Sequence, residues 1–120
     1  MSEIRFGDIY LANLVGVGHE QKGVRAVIIA QNNMGNKHAP TVEIIPLSAR
    51  VNKARHLPTH VFIKADKVNG LRADSLALAE QTNTIDKSKL IHRIGSLTHE
   101  ALVAIGIARQ IQSPFPVTTA

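Results

Sequence analysis

The chain has no cysteine and no tryptophan among its 120 residues. Without cysteine there is no disulfide scaffold, no thiolate metal ligand and no cysteine nucleophile. Aromatic residues are sparse. Phe6, Tyr10, Phe62 and Phe115 are the full set, too few for the stacking platform on which many RNA-binding domains hold bases. Long apolar runs are missing too. The longest, Ala26 to Ala30 and Ala101 to Ala108, fall far short of the about 20 residues a helix needs to span a bilayer. The N-terminus, Met1-Ser2-Glu3-Ile4-Arg5, shows no apolar signal region, so a cytoplasmic protein without membrane association is expected.

What the chain does have is apolar content for one core, 44% of residues, and an excess of positive charge. The formal charge is +5 and the sequence pI about 10.0, a balance that favours an anionic partner. Arg50, Lys53, Arg55, Lys64 and Lys67 lie within one stretch whose only acid is Asp66. Such a stretch can follow a phosphate backbone, and it can equally be a solvated basic loop.

Glycines and prolines punctuate short apolar runs, the pattern of a mainly β domain. Strands are expected at Ile9 to Ala12, Val24 to Ala30, Val42 to Leu47, His60 to Ile63, Leu76 to Glu80 and His92 to Leu97. Pro46 argues for an edge or a bulge near the end of the third. Asn33-Met34-Gly35-Asn36 and Asn69-Gly70 read as turns. One helix is expected from Thr98, which can cap it, with Glu100 placed where the helix dipole favours an anion. Its run from Ala101 to Ala108 is apolar on nearly every face, more than one sheet can cover, so a homodimer is expected. Residues 1–112 form the domain and 113–120 a loose tail.

Three motifs fail on inspection. Gly16-Val17-Gly18 opens like a dinucleotide fingerprint, but Gln21 stands where its third glycine belongs. His19-Glu20 opens like a zinc-protease motif, but Gly23 replaces the second histidine. His56 and His60 flank Pro58, which disfavours the helix that would bring them together. In extended chain they stand roughly 13 Å apart, too far to share an ion. No metal site and no cofactor is expected.

The segment Gly18-His19-Glu20-Gln21-Lys22-Gly23-Val24-Arg25, followed by an apolar run ending in Gln31-Asn32, resembles the first loop and second strand of the MazF/PemK toxin family. There a Glu-Gln-x-Gly-Val-Arg-Pro pattern precedes an apolar run ending in Gln-Asn. Arg5 to Tyr10, Leu57-Pro58-Thr59-His60-Val61, Glu80-Gln81 and Thr84-Ile85-Asp86-Lys87 continue the likeness in order. The resemblance implies an SH3-like antiparallel barrel with a C-terminal helix, paired into a homodimer. It further implies a metal-independent endoribonuclease that cuts single-stranded RNA at short sequence motifs, held inactive by a cognate antitoxin with a flexible, acidic tail. Other readings are a CcdB-like toxin that binds gyrase, or an inactive homologue that only binds RNA or antitoxin.

Residue by residue, the resemblance makes Arg25 the catalytic arginine, whose guanidinium fork suits two phosphate oxygens. Otherwise Arg25 is a structural partner of Glu20 or Asp8. Ser48 stands where the family usually has threonine; it keeps the hydroxyl and loses the methyl group that stiffens χ1. A turn-capping serine is the other reading. His60 is the best titratable candidate for base or phosphate contact, or a structural histidine. Glu20, Gln21, Lys22 and Gln81 are expected to border the RNA. Lys22 for a common glycine, Ala26 for proline, Asn83 for arginine and the extra His56 are departures that bear on the recognised sequence.

Overall fold

A computed structural model describes residues 3–15, 23–51 and 57–118. Seven strands are found among them: β1 (Asp8–Leu14), β2 (Gly23–Ile29), β3 (Thr41–Ser48), β4 (His60–Ile63), β5 (Ser75–Leu78), β6 (Asn83–Asp86) and β7 (Leu90–Ser96). Two helices join them, α1 (Asn33–His38) and α2 (His99–Gln112), with short 3-10 turns at Ala79–Gln81 and Lys87–Lys89. All pairings are antiparallel. The strand order is β4-β5-β3-β2-β1-β7, with β6 also on β3, and the path does not close on itself. This is a mainly β antiparallel fold with a C-terminal helix, as the sequence implied.

β3 is the hub. Its first half, Thr41 to Ile44, pairs with β6, and its last two residues, Leu47 and Ser48, pair with β5. Pro46, expected at an edge or bulge, instead sits within the sheet opposite Val27 of β2. It is tolerated because on its other side it meets the interval between β6 and β5, where no ladder donor is required.

Strand alternation sorts the apolar residues into two cores. Ile9, Ile28, Ile45, Leu47, Ile63 and Ala77 face one way and pack with Ile105 of α2. Tyr10, Ala12, Leu14, Val27, Ile29, Val42 and Ile44 face the other, flanked by Ile85 and Leu90. Burial at this second core raises the Tyr10 phenol above its ordinary value, and the Asp8 charge adds to the effect.

Two local expectations are corrected. Residues 33–36 do not form a plain turn but the first part of α1, because the Asn32 carbonyl oxygen of the side chain accepts the Gly35 N–H at 2.8 Å and caps the helix. β6 was not foreseen; its four residues alternate half-buried and exposed, too few and too polar to show a period. Asn69-Gly70 is a turn as expected. Gly70 has φ +68, and a Cβ there would lie 2.0 Å from the Ile94 carbonyl oxygen of β7, so both its conformation and its packing require glycine.

Thr98 caps α2 as expected: its Oγ1 accepts the Ala101 N–H at 3.2 Å. Replacing Thr98 with Ala should cost about 1 kcal/mol and lower the melting temperature by a few degrees in a thermal scan. At the other end the helix stops at Gln112, and the Gln110 side-chain amide donates to the Phe115 carbonyl at 2.7 Å.

Candidate nucleic-acid interface

β2 and β3 pair from Ile29↔Ile44 to Val27↔Pro46. Two residues further along each strand stand Arg25 and Ser48. Period-two alternation puts both on the face of Val27 and Pro46, the face of the second core. Arg25 is half-buried and Ser48 is buried. On β2 the next residue of this face after Val27 is the cation Arg25, paired with Ala12 of β1, and on β3 the next after Pro46 is the hydroxyl of Ser48, paired with Leu76 of β5. The same face continues over β5 and β4, through Ser48↔Leu76, Phe62↔Leu76 and His60↔Leu78. Arg25, Ser48 and His60, far apart in sequence, therefore share one side of the sheet.

The contacts refine their roles. Ser48 Oγ accepts the Arg50 N–H at 3.3 Å, so the turn-capping role is realised. That bond uses one of the two lone pairs, and a hydroxyl can still donate its proton and accept a second time. Asp8, the alternative partner for Arg25, instead pairs with Arg93 at 3.2 Å and accepts the Arg5 backbone N–H at 3.1 Å.

His60 is engaged at both ring nitrogens. Nδ1 accepts the Leu57 N–H at 3.2 Å, and Nε2 lies 2.9 Å from Glu80 Oε2. An Nδ1 that accepts carries no proton, so the ring is the neutral tautomer and donates through Nε2–H to the carboxylate. The other oxygen, Glu80 Oε1, accepts the Thr59 hydroxyl at 2.9 Å. With its side chain 8% exposed, His60 joins the turn before β4 to the 3-10 turn after β5 and presents no open nitrogen. Gln81 follows Glu80 in the 3-10 turn and is half-buried. Glu20, Gln21 and Lys22 lie outside the described residues, as do Gly16 to His19 and His56.

On the opposite face is an open cavity of about 450 Å³. Leu11, Leu47, Leu71 and Ile94 give it an apolar floor, and Arg72 and His92 supply basic groups; among the described residues no carboxylate lines it. Val24, Arg25 and Ala26 all border it, but alternation sends the flanking side chains to this face and that of Arg25 to the other. Sequence reasoning missed Arg72, His92, Thr59 and Glu80. Glu80 and Thr59 had a signal, their places next to Gln81 and His60 in stretches that resemble the family. Among the described residues no three His, Asp or Glu side chains gather to hold a metal ion, and no helix is long and apolar enough to cross a membrane.

The chain and its fold, apart from any one site, have counterparts among known proteins. Residues 5–112 match the family model described as PemK-like, MazF-like toxin of type II toxin-antitoxin system. The chain belongs to this toxin family. Solved structures agree. The Mycobacterium tuberculosis toxin MazF-mt6 is 26% identical, with 91% of this chain and 98% of that one covered and a TM-score of 0.76. MazF from Deinococcus radiodurans is only 17% identical yet reaches a TM-score of 0.81 over 96% of this chain and 100% of its own. An endoribonuclease in complex with its cognate antitoxin, from a mycobacterial species, is 21% identical with a TM-score of 0.71, covering 98% and 100%. The last two likenesses bear on the toxin fold alone.

Proposed function

We propose that this toxin-family chain is a sequence-specific, metal-independent endoribonuclease that cuts single-stranded RNA. The observation that carries the reading is the placement of Arg25 and Ser48 on one face by the β2–β3 register, at the positions the family resemblance marks as catalytic. RNA brings its own nucleophile. The 2′-oxygen attacks the adjacent phosphorus, the bond from phosphorus to the 5′-oxygen breaks, and the 2′-hydroxyl proton is balanced by one delivered to the leaving oxygen. The products are a 2′,3′-cyclic phosphate and a 5′-hydroxyl. The protein has to align these atoms and stabilise the charge that grows on the equatorial oxygens.

Arg25 is suited to this because its guanidinium keeps its charge and donates in a planar fork. Ser48 adds a hydroxyl donor toward a phosphate oxygen. Glu20, Gln21, Lys22 and Gln81 border the bound strand, and the positive balance of the chain draws it in. A cytoplasmic homodimer would carry two copies of this face. A cognate antitoxin with an acidic tail would compete with RNA for them.

The test is purified protein with a long single-stranded RNA in excess EDTA. Cleavage should persist, leaving cyclic phosphate on one fragment and 5′-hydroxyl on the other. Fragments with 5′-phosphate ends, or activity that returns only with added metal, would sink the mechanism. No cleavage together with gyrase binding would favour the CcdB-like alternative.

A further inference from the structure

Glu80 has no role in the reading above, yet its carboxylate joins two residues at the turn before β4 and the start of that strand. Through Oε1 it accepts Thr59 Oγ1–H and through Oε2 the His60 Nε2–H, both at 2.9 Å. The backbone repeats the join: Ala79 N–H donates to the Thr59 carbonyl at 3.1 Å. On the far side of His60, Nδ1 holds the Leu57 N–H, and the His60 N–H returns to the Leu57 carbonyl at 2.9 Å. The Leu57-to-His60 turn is thus closed on itself and fastened to the 3-10 turn that carries Gln81.

Two considerations make this more than packing. Apolar side chains of similar volume would hold two turns together at least as stably as a partly buried carboxylate with neutral donors, since the carboxylate must first be desolvated. What the polar join adds is one defined geometry. A carboxylate near a face meant for phosphates also repels its ligand, and the two fixed donors weaken that repulsion by engaging both Glu80 oxygens.

We propose that Glu80 is a positioning residue for RNA binding. Its carboxylate clamps the Leu57-to-His60 turn onto the Gln81 turn, holding that side of the face in place relative to Ser48 and Arg25. The proposal rests on the RNA-cleaving reading, and its test separates binding from cutting. A random-sequence 2′-O-methyl oligonucleotide can occupy the face but lacks the nucleophile.

Glu80→Ala should weaken oligonucleotide binding and raise KM for RNA cleavage roughly tenfold, the loss expected when a charge-assisted hydrogen bond is removed. kcat should stay within about threefold, and the Leu57 amide should exchange faster by NMR. Glu80→Gln keeps the shape and one acceptor oxygen, so it should restore part of the affinity; it carries the same comparison if the alanine variant does not fold. Unchanged binding and KM, a fall in kcat alone, or a Leu57 amide as protected as in the wild type would each overturn the proposal. A wild-type protein that binds the oligonucleotide through Glu80 but leaves RNA uncut would uphold the clamp and overturn the endoribonuclease reading alone.

Discussion

Arg25→Ala should lower the cleavage rate by roughly 100- to 1,000-fold, the usual loss when one preorganised charge-stabilising group is removed. The side chain sits two residues past Val27, the last buried apolar residue of β2 on this face, and is half-buried beside Ala12 of β1. Its removal leaves Val27, Ile29 and their partners in place, and the variant should unfold at nearly the wild-type temperature. Binding of single-stranded RNA should persist, because the other cations of the chain still contribute to phosphate attraction. The expected kinetic signature is a loss in kcat with little change in KM, the mark of an interaction made mainly in the transition state. Near-normal cleavage by folded Arg25→Ala protein would return Arg25 to a structural role. A large drop in melting temperature with proportional loss of rate would do the same. Ser48→Ala offers a milder comparison, since it removes the hydroxyl and the cap on the Arg50 N–H together.

The sequence carried the sheet well because glycines and prolines mark off its apolar runs. β4 could be read to its exact ends, since Pro58 precedes it and the acid-and-glycine turn region follows it. What escaped was short or depended on a distant partner. β6 has four residues and borrows its order from the first half of β3. α1 exists through one side-chain cap from Asn32, which looks like a turn residue in isolation. Pro46 could be judged only once it was known that β3 changes partners beside it.

The site shows the same division. Arg25 and Ser48 were legible through family motifs, but their common face follows only from the β2–β3 register. His60 was legible as a titratable group, whereas its commitment to Glu80 and Leu57 is a tertiary fact. No local pattern says that a glutamate 20 residues away in sequence will occupy its Nε2.

The helix provides the second large effect. α2 buries Ile105 and Ala108 against the sheet, while Val103, Ile107 and Ile111 remain 49%, 60% and 49% exposed. These three recur every fourth residue, so they form one stripe along the helix, turned away from the side that carries Ile105. Fully burying such a side chain gives about 1.5 to 3 kcal/mol, a gain that a second copy meeting the first across a two-fold axis would recover on both helices. Ile107→Glu puts a carboxylate at the middle of the stripe, where the variant chain alone leaves it in water and the dimer would have to desolvate it. That penalty is at least about 3 kcal/mol, which raises the dissociation constant roughly 100-fold or more. Monomer stability should hardly change, because Ile107 is exposed within the chain. Sedimentation at micromolar concentration should therefore show a wild-type dimer and an Ile107→Glu monomer, and cleavage should fall with the dimer if the RNA face draws on both subunits. A wild-type protein that sediments as a stable, active monomer would remove both the interface and the shared face. An Ile107→Glu variant that remains fully dimeric would place the two-fold contact on another surface and leave the stripe as a solvent-facing feature of α2.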